Sequence, residues 1–424
     1  MALPRIAAFP LAIAFLFCGQ SPVAAAQPGD IDTSFSGDGV QRVDFGRTDY
    51  AHVAFVDDLG RLILGGASAF PLPDRVAMTR LLPNGRLDAR FSDDGRVTVK
   101  PGSDATYVAA WTSDAQGRFL VLGGRETRDF ADDAFYLLRL THHGRLDPAF
   151  GTDGILRGKL GPGWNDVQDV IVLPSGRIVV VGNNGGDAVL KSYTAAGTVD
   201  SGFGGGDGIV RIPGLRAASL LYQPSGRLLV VGSRTHRRIT VDAFSVSGRR
   251  DDSFGQNGRG TISVTDTGNL FVPPGSAAVG PNGQIVVGAE LEMEFGLDTV
   301  VARFTRNGKP DLSFGSVGWR RFNLAEVDGP NAVVPLEDGR IVVVGEARRS
   351  LFGDDGSSDM YLLGLRTDGR KWLAFGESGV VRTDFGNGGD EVFGMDAREV
   401  NGRLIVVGGS RGNMLAARFF VSGR

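Results

Sequence analysis

Residues 147–181, DPAFGTDGILRGKLGPGWNDVQDVIVLPSGRIVVV, contain the pattern that decides the fold. The stretch opens with an Asp-x-x-Phe-Gly turn, passes through two short apolar segments and ends in a β-branched run after a Pro-Ser-Gly turn. This phrase, or a close variant, returns seven times at intervals of roughly 50–60 residues, which is typical of repeat architectures. The repeated phenylalanines are Phe35, Phe91, Phe150, Phe203, Phe254, Phe314 and Phe375.

Each repeat predicts four short strands. In the quoted copy they span 155–160, 167–173, 178–181 and 188–194, separated by Gly, Pro, Asn and Asp turn residues. The third strand is apolar on both faces, so we expect it to be buried on both sides. Four strands in a repeat of this length are typical of a β-propeller blade, with 167–173 innermost and 155–160 outermost.

The two ends of the chain complement each other. The first repeat supplies an extra strand at 40–45, and the last repeat, ending with a strand at 414–420, lacks one. Pairing these two strands would remove two open sheet edges. The sequence therefore predicts an all-β, seven-bladed β-propeller with four-stranded blades, closed by its N-terminal strand pairing with the C-terminal blade. We assign 27–424 to this single domain.

Residues 1–26 have the pattern of a signal peptide. Arg5 precedes an apolar run at 6–17, and three alanines at 24–26 suit a signal peptidase. We expect cleavage after Ala26 and export to the periplasm or the extracellular space. Cys18 raises a lipoprotein alternative, but the anchor motif is absent because a phenylalanine precedes it. Cleavage after Ala26 leaves no cysteine, so the core must hold the fold without disulfides.

Several phrases resemble the bacterial delta-60 repeat. They are Asp311-Leu-Ser-Phe314-Gly, Leu336-Glu-Asp-Gly-Arg-Ile-Val-Val-Val-Gly345 and Val301-Ala-Arg-Phe304, which recur in one order along nearly the whole mature chain. The resemblance implies an exported β-propeller and implies no catalytic residues. Two copies depart from the pattern, because Trp372 replaces the usual Asp and an extra residue follows Phe203.

A set of aspartates precedes the predicted innermost strands in five repeats. A ring of carboxylates at the mouth of the central channel would suit a hard cation, so we consider calcium as a ligand. The alternative is that each side chain caps its own turn, as Asp often does. The residues are Asp49, Asp104, Asp166, Asp328 and Asp390.

A second set of loops on the same face is uneven in length and charge. An acidic face with one basic sector, the loop 234–238 containing His236, would recognise a partner electrostatically. The alternative is that these loops are simply solvated. The acidic members are Glu126, Asp129, Asp132 and Asp133, then Glu292 and Glu294, then Asp354, Asp355 and Asp359.

The formal net charge of -3 argues against a nucleic-acid partner. No apolar run is long enough for a membrane span, and we expect a monomer that binds an extracellular or periplasmic ligand or protein. Gly408-Gly-Ser410-Arg-Gly412 matches the Gly-x-Ser-x-Gly sequence of a nucleophile elbow. That elbow requires a strand followed by a helix, whereas predicted strands flank this stretch on both sides. We therefore expect a binding or interaction scaffold. The alternative is a hydrolase or lactonase-like enzyme with its site at the channel mouth.

Overall fold

A computed structural model describes residues 25–69, 75–102, 106–125, 135–315, 317–348, 358–383, 385 and 392–422. These residues form strands and turns and contain no helix, so the predicted all-β class is confirmed. Most of the predicted signal peptide, residues 1–24, lies outside the described part of the chain. Within that part, no helix has the length and apolar character needed to cross a membrane.

The strands follow one another in chain order. The first fifteen are β1 (Val40–Val43), β2 (Thr48–Val56), β3 (Leu62–Ala69), β4 (Arg75–Leu81), β5 (Arg96–Val99), β6 (Thr106–Ser113), β7 (Phe119–Arg125), β8 (Phe135–Leu140), β9 (Ile155–Gly158), β10 (Asn165–Val172), β11 (Ile178–Asn184), β12 (Asp187–Tyr193), β13 (Ile209–Ile212), β14 (Arg216–Gln223) and β15 (Arg227–Thr235). The others are β16 (Arg238–Ser245), β17 (Arg259–Ser263), β18 (Asn269–Phe271), β19 (Ala277–Val279), β20 (Ile285–Met293), β21 (Gly296–Phe304), β22 (Trp319–Phe322), β23 (Val327–Pro335), β24 (Ile341–Arg348), β25 (Ser358–Leu365), β26 (Val380–Thr383), β27 (Val392–Val400), β28 (Arg403–Ser410) and β29 (Asn413–Phe420).

Backbone hydrogen bonds connect these strands into five four-stranded sheets and one nine-stranded sheet. The prediction that every blade is a separate four-stranded sheet is therefore wrong, because the described strands form six sheets and one of them has nine strands. The nine-stranded sheet consists of two antiparallel groups joined by a single parallel pair, Leu297 with Val327. Gly296 permits this contact, because a side chain there would collide with the carbonyl oxygen of Glu326. The first group also has its inner strand divided into β18 and β19 around Pro273, which cannot donate to a sheet.

For description we divide the strands into seven units, one for each repeat. Units 1 to 4 are β2–β5, β6–β9, β10–β13 and β14–β17; units 5 and 6 are the two groups of the nine-stranded sheet, β18–β22 and β23–β26; unit 7 is β27–β29 with β1. The buried apolar residues form clusters that each join two neighbouring units, and one of these clusters joins units 7 and 1. The core therefore lies between the sheets.

The N-terminal strand pairs with the C-terminal unit. β1 runs antiparallel to β29, with Val40 opposite Ala417 and Val43 opposite Met414. The predicted pairing of these two strands is confirmed. The N-terminal segment also contacts unit 6, where the N–H of Gly376 donates to the carbonyl of Pro28 at 2.8 Å.

The repeated Asp-x-x-Phe phrase builds a side-chain stack. In six copies the Asp carboxylate accepts a backbone N–H of its own turn and binds an arginine at 2.5 to 3.0 Å. The same guanidinium lies over the phenylalanine of the phrase, 4.7 to 6.0 Å from its ring centroid. In the seventh copy Arg340 lies 3.6 Å from the ring centroid of Trp372. The departure at 372 thus replaces an ion pair with a cation–π contact.

The phenylalanines of these phrases are wedges between units. All seven are at most 1 % exposed. Phe314 of unit 5, for example, packs on Gly369 in the turn of unit 6, where an added Cβ would come within 2.9 Å of the ring. Gly369 also has φ near +80°, which favours glycine.

Candidate functional site

Each inner strand carries a β-bulge at a matched position, except in unit 5, whose inner strand is divided. A bulge bends the strand and re-aims side chains, so that successive residues turn toward the same side. The register shift leaves one extra residue in the inner strand. These bulged residues are His52, Ala109, Gln168, Ala218, Asn331 and Met395.

The inner strands surround a central cavity of about 750 Å³ to which all seven units contribute. Its wall includes large apolar and aromatic side chains, among them Phe55, Trp111 and Tyr222. Polar groups also line it. They are His52, Asp166, Gln168, Asp169, Asn331, Asp396 and Arg398, with the hydroxyls of Tyr107, Thr112 and Tyr222.

Asp169 and Asp396 occupy the same place in units 3 and 7, directly after the bulged residue. Asp169 accepts the N–H of Leu220 in unit 4 at 2.8 Å, and Asp396 accepts that of Ala54 in unit 1 at 3.2 Å. The other carboxylate oxygen of each accepts the N–H of the following residue. Both carboxylates therefore bridge two units at the wall of the cavity.

Burial dominates the titration of these two acids. It raises the pKa of Asp169 to about 7, against the opposing effect of the Leu220 and Val170 N–H groups. It also raises the pKa of Asp396, against the attraction of Arg398, whose Nη1 lies 3.2 Å from the carboxylate. Sequence reasoning missed both residues. The available signal was an acid at a position where Val53, Ala110 and Ala332 stand in other repeats.

His52 is the only histidine at the cavity wall within the described residues. Its ring stacks on Tyr50, with centroids 5.1 Å apart. Burial lowers the pKa of His52 to about 4, so the imidazole is neutral at pH 7. A neutral imidazole both donates and accepts hydrogen bonds.

The aspartates of the predicted ring do not all occupy the same position in their units. Asp49 and Asp328 are equivalent, three residues before the bulge, and both are buried turn caps. Asp49 accepts the N–H of Phe45 at 2.7 Å, and Asp328 accepts those of Leu324, Ala325 and Thr299 at 2.8 to 3.1 Å. Burial raises the pKa of both carboxyls, with these hydrogen bonds opposing it.

In unit 3 the equivalent cap is Asn165, which accepts the N–H groups of Leu160 and Gly161. Asp166 lies one residue further on, at the cavity, and burial raises its pKa against the attraction of Arg216. Asp104 and Asp390 lie outside the described residues. Within the described part of the chain, no group of three or more His, Cys, Asp or Glu side chains is placed to hold a metal ion.

The uneven loops lie partly outside the described residues, including Glu126, Asp129, Asp132, Asp133, Asp354 and Asp355; Asp359 lies in β25. Two charged hairpins are described side by side. In the basic β15–β16 hairpin, the carbonyl of His236 accepts a hydrogen bond from the N–H of Leu270. In the acidic β20–β21 hairpin, Glu292 accepts one from the side chain of Asn269 at 2.9 Å. Glu294 is exposed at the tip of that hairpin.

Ser410, which matched a nucleophile elbow in letters, is the buried last residue of β28 and faces Asn413 across a tight hairpin. It is not among the residues that line the central cavity. Strands β28 and β29 flank it, as the sequence predicts.

Comparison with known proteins supports the fold class. The family model described as a domain of unknown function (DUF5122) beta-propeller matches residues 280–314. No curated protein matches the chain. The family model thus supports a β-propeller over one repeat.

Solved structures are similar at low identity. A protein of unknown function from Bacteroides caccae is 13% identical, with a TM-score of 0.41, over 76% of this chain and 98% of that one. Sqt1 from Chaetomium thermophilum is 12% identical, with a TM-score of 0.45, over 88% and 97%. Prolyl oligopeptidase B from Galerina marginata is 11% identical, with a TM-score of 0.44; the match covers 88% of this chain and 49% of the peptidase. At these values the similarities carry no argument about function.

Proposed function

We propose that the chain is a seven-bladed β-propeller that binds a small molecule in its central cavity. The inner strands contact one another in the order β2, β6, β10, β14, β19, β23 and β27, and β27 contacts β2. This order supports a ring in which the nine-stranded sheet supplies two blades and the β1–β29 pair closes the circle. A ring of this kind leaves its sheet edges short and protected.

The observation that carries the binding role is the cavity itself. Its volume of about 750 Å³ falls in the range of small-molecule sites, which are mostly apolar and carry a few placed polar groups. Aromatic side chains such as Trp111 offer a stacking surface, and Asp169 and Asp396 offer hydrogen-bond partners on well separated units. We infer a ligand with an apolar body and at least one hydrogen-bonding group.

We further propose that the protein works outside the cytoplasm as a monomer of the delta-60 repeat type, after removal of a signal peptide at Ala26. The ligand would then be an extracellular or periplasmic compound, and nucleic acid is not the partner. The net charge of -3 supports the exclusion of nucleic acid, and Arg5, the apolar run at 6–17 and the alanines at 24–26 support export.

Binding in the cavity is tested by filling it. A small-molecule library is screened by thermal shift on the purified chain, and each hit is titrated against Ala110→Trp, which places an indole at the cavity wall. Ala115→Trp, at an exposed turn on the other face, is the matched control. We expect hits to lose binding to Ala110→Trp alone. Hits that bind both variants equally would exclude the cavity as the site.

The second candidate is an enzyme of the hydrolase or lactonase type. The observation that favours it is the raised pKa of Asp169, because perturbed acids cluster at catalytic sites. Aryl ester and lactone hydrolysis is assayed with the native chain and with Asp169→Asn and Asp396→Asn. Turnover that both variants abolish would favour the enzyme. Turnover unaffected by either would remove these carboxyls from any chemistry.

A cation held by Asp49, Asp104, Asp166, Asp328 and Asp390 remains a separate proposal. The turn contacts of Asp49 and Asp328 support the alternative, in which these carboxylates cap their own loops. Calcium is the ion to test, since carboxylate oxygens suit it.

A further inference from the structure

Asp242 in β16 is a buried acid at a position that folding does not require to be charged. It pairs with Arg259, the first residue of the outermost strand of unit 4. The same position in the other units, each opposite the first residue of its outermost strand, holds no acid. The equivalents are Thr79, Leu138, Lys191, Ala302, Leu363 and Ala417.

Three arginines surround this carboxylate. Arg234, Arg250 and Arg259 lie 3.1, 2.9 and 3.1 Å from its oxygens, and the Asp242 side chain is fully buried. A buried carboxylate needs a partner, but one guanidinium is enough to neutralise it. The cluster therefore keeps an excess of positive charge.

The arginines are held in place by more than this ion pair. The Nε of Arg250 also donates to the carbonyl of Asn257 at 2.7 Å, and the Arg250 side chain packs on Gly258. Arg259 uses only its Nε for Asp242. Within the described residues its two terminal nitrogens make no hydrogen bond, so the outward edge of the guanidinium has unused donors.

Arg250 and Arg259 line a groove of about 630 Å³ between units 4 and 5, and Lys309 of unit 5 lines it from the other side. Gln256, Asn257 and Thr261 add uncharged polar groups, and no acid lines the groove. The groove thus presents three cations. The carboxylate of Asp242 is buried beneath two of them, and the exposed carboxylate of Asp252 lies 3.9 Å from Arg250 Nε.

We propose that this groove binds a tetrahedral dianion, a phosphate or sulfate group carried on an organic molecule. A planar guanidinium with free terminal nitrogens matches two oxygens of such a group, and a lysine adds a point charge. The excess of positive charge suits a dianion better than a carboxylate. The groove is larger than one oxyanion, which leaves space for the attached organic group. This site is independent of the central cavity.

The test is calorimetric titration of the full chain with inorganic phosphate and with glucose 6-phosphate at fixed ionic strength, because salt screens exposed charges. We expect saturable binding that Arg259→Gln weakens about tenfold or more, since the variant loses a charge-assisted pair. Lys309→Gln, at an exposed residue that folding does not need, should weaken it less. Arg249→Gln, an exposed neighbour outside the groove, is the matched control and should bind as the native chain does.

The two ligands distinguish the source of the anion. Tighter binding of glucose 6-phosphate than of inorganic phosphate would support an ester, and equal binding would support the anion alone; glucose and acetate should bind weakly or not at all. The proposal is overturned if neither phosphate gives saturable heat. It is also overturned if Arg259→Gln and Lys309→Gln, shown to be folded by their melting curves, bind like the native chain.

Discussion

Replacing Phe314 with alanine should destabilise the protein strongly, because this ring is a wedge between two units. The side chain is fully buried and packs on Gly369 of the next unit. The guanidinium of Arg303 lies 4.7 Å from the ring centroid and binds Asp311 at 2.8 Å. Truncation removes the wedge and also leaves this arginine without its aromatic partner.

The expected magnitude follows from these contacts. Truncating a buried phenylalanine to alanine costs about 3–5 kcal/mol. The lost cation–π contact adds about 0.5–1 kcal/mol. We therefore expect the free energy of unfolding to fall by an amount in the upper half of the first range. Leu312 belongs to the same phrase but is 68% exposed, so Leu312→Ala should change stability by less than about 0.5 kcal/mol.

The assay is urea unfolding of the native chain, Phe314→Ala and Leu312→Ala, followed by tryptophan fluorescence and circular dichroism together. Coincident transitions with equal slopes allow the free energies to be compared. A cost below about 1 kcal/mol for Phe314→Ala, or equal costs for the two variants, would refute the role of this phenylalanine as a wedge.

Three further predictions concern the ends of the chain, the cavity acid and the aspartate ring. Deleting residues 27–46 removes β1 and exposes the edge of β29, so the melting temperature should fall and aggregation should increase; unchanged melting would contradict a closing role for the β1–β29 pair. The pKa of Asp169 is raised from 3.8 to about 7 in the folded chain, so the folded state holds a proton that the unfolded state releases, and stability should fall as pH rises through this window. Asp169→Asn should lack this part of the pH dependence, and urea midpoints that fall equally in both proteins between pH 5 and pH 8 would argue against it. If the aspartate ring binds calcium, the melting temperature should rise with added calcium and return with a chelator, whereas no shift would leave Asp49 and Asp328 as turn caps.

The local pattern of the sequence was sufficient to predict the strands and the pairing of the chain ends. Turn residues mark each strand boundary, and the apolar third strand is recognisable without any long-range information. The joining of units 5 and 6 into one sheet was not predictable. It depends on a single pair, Leu297 with Val327, and on the close approach of the Glu326 carbonyl to Gly296.

The sequence predicted an aspartate ring at the cavity mouth, whereas the cavity wall is lined by partly different residues of the inner strands. A bulge adds one residue and shifts the alternation of side chains, and nothing in the sequence marks where it occurs. For this reason Asp166 was taken as the counterpart of Asp49, although Asn165 holds that place. For the same reason Asp169 and Asp396, which follow their bulges, were not recognised as cavity residues.

The seven units provide an internal comparison that separates structural from functional departures. At Trp372 the lost ion pair is replaced at once by the stacking of Arg340, so the wedge is preserved and no further role is needed. At Asp169 and Asp396 the other units hold small or apolar residues such as Ala110 and Val53 in the same position, so the fold does not require a carboxyl there. Hydrogen bonds from Leu220 and Ala54 oppose the effect of burial on these two carboxyls, and burial still raises the pKa of Asp169 to about 7. If the cavity binds a small molecule as we propose, these two carboxyls, which also bridge neighbouring units, are where we expect its polar contacts.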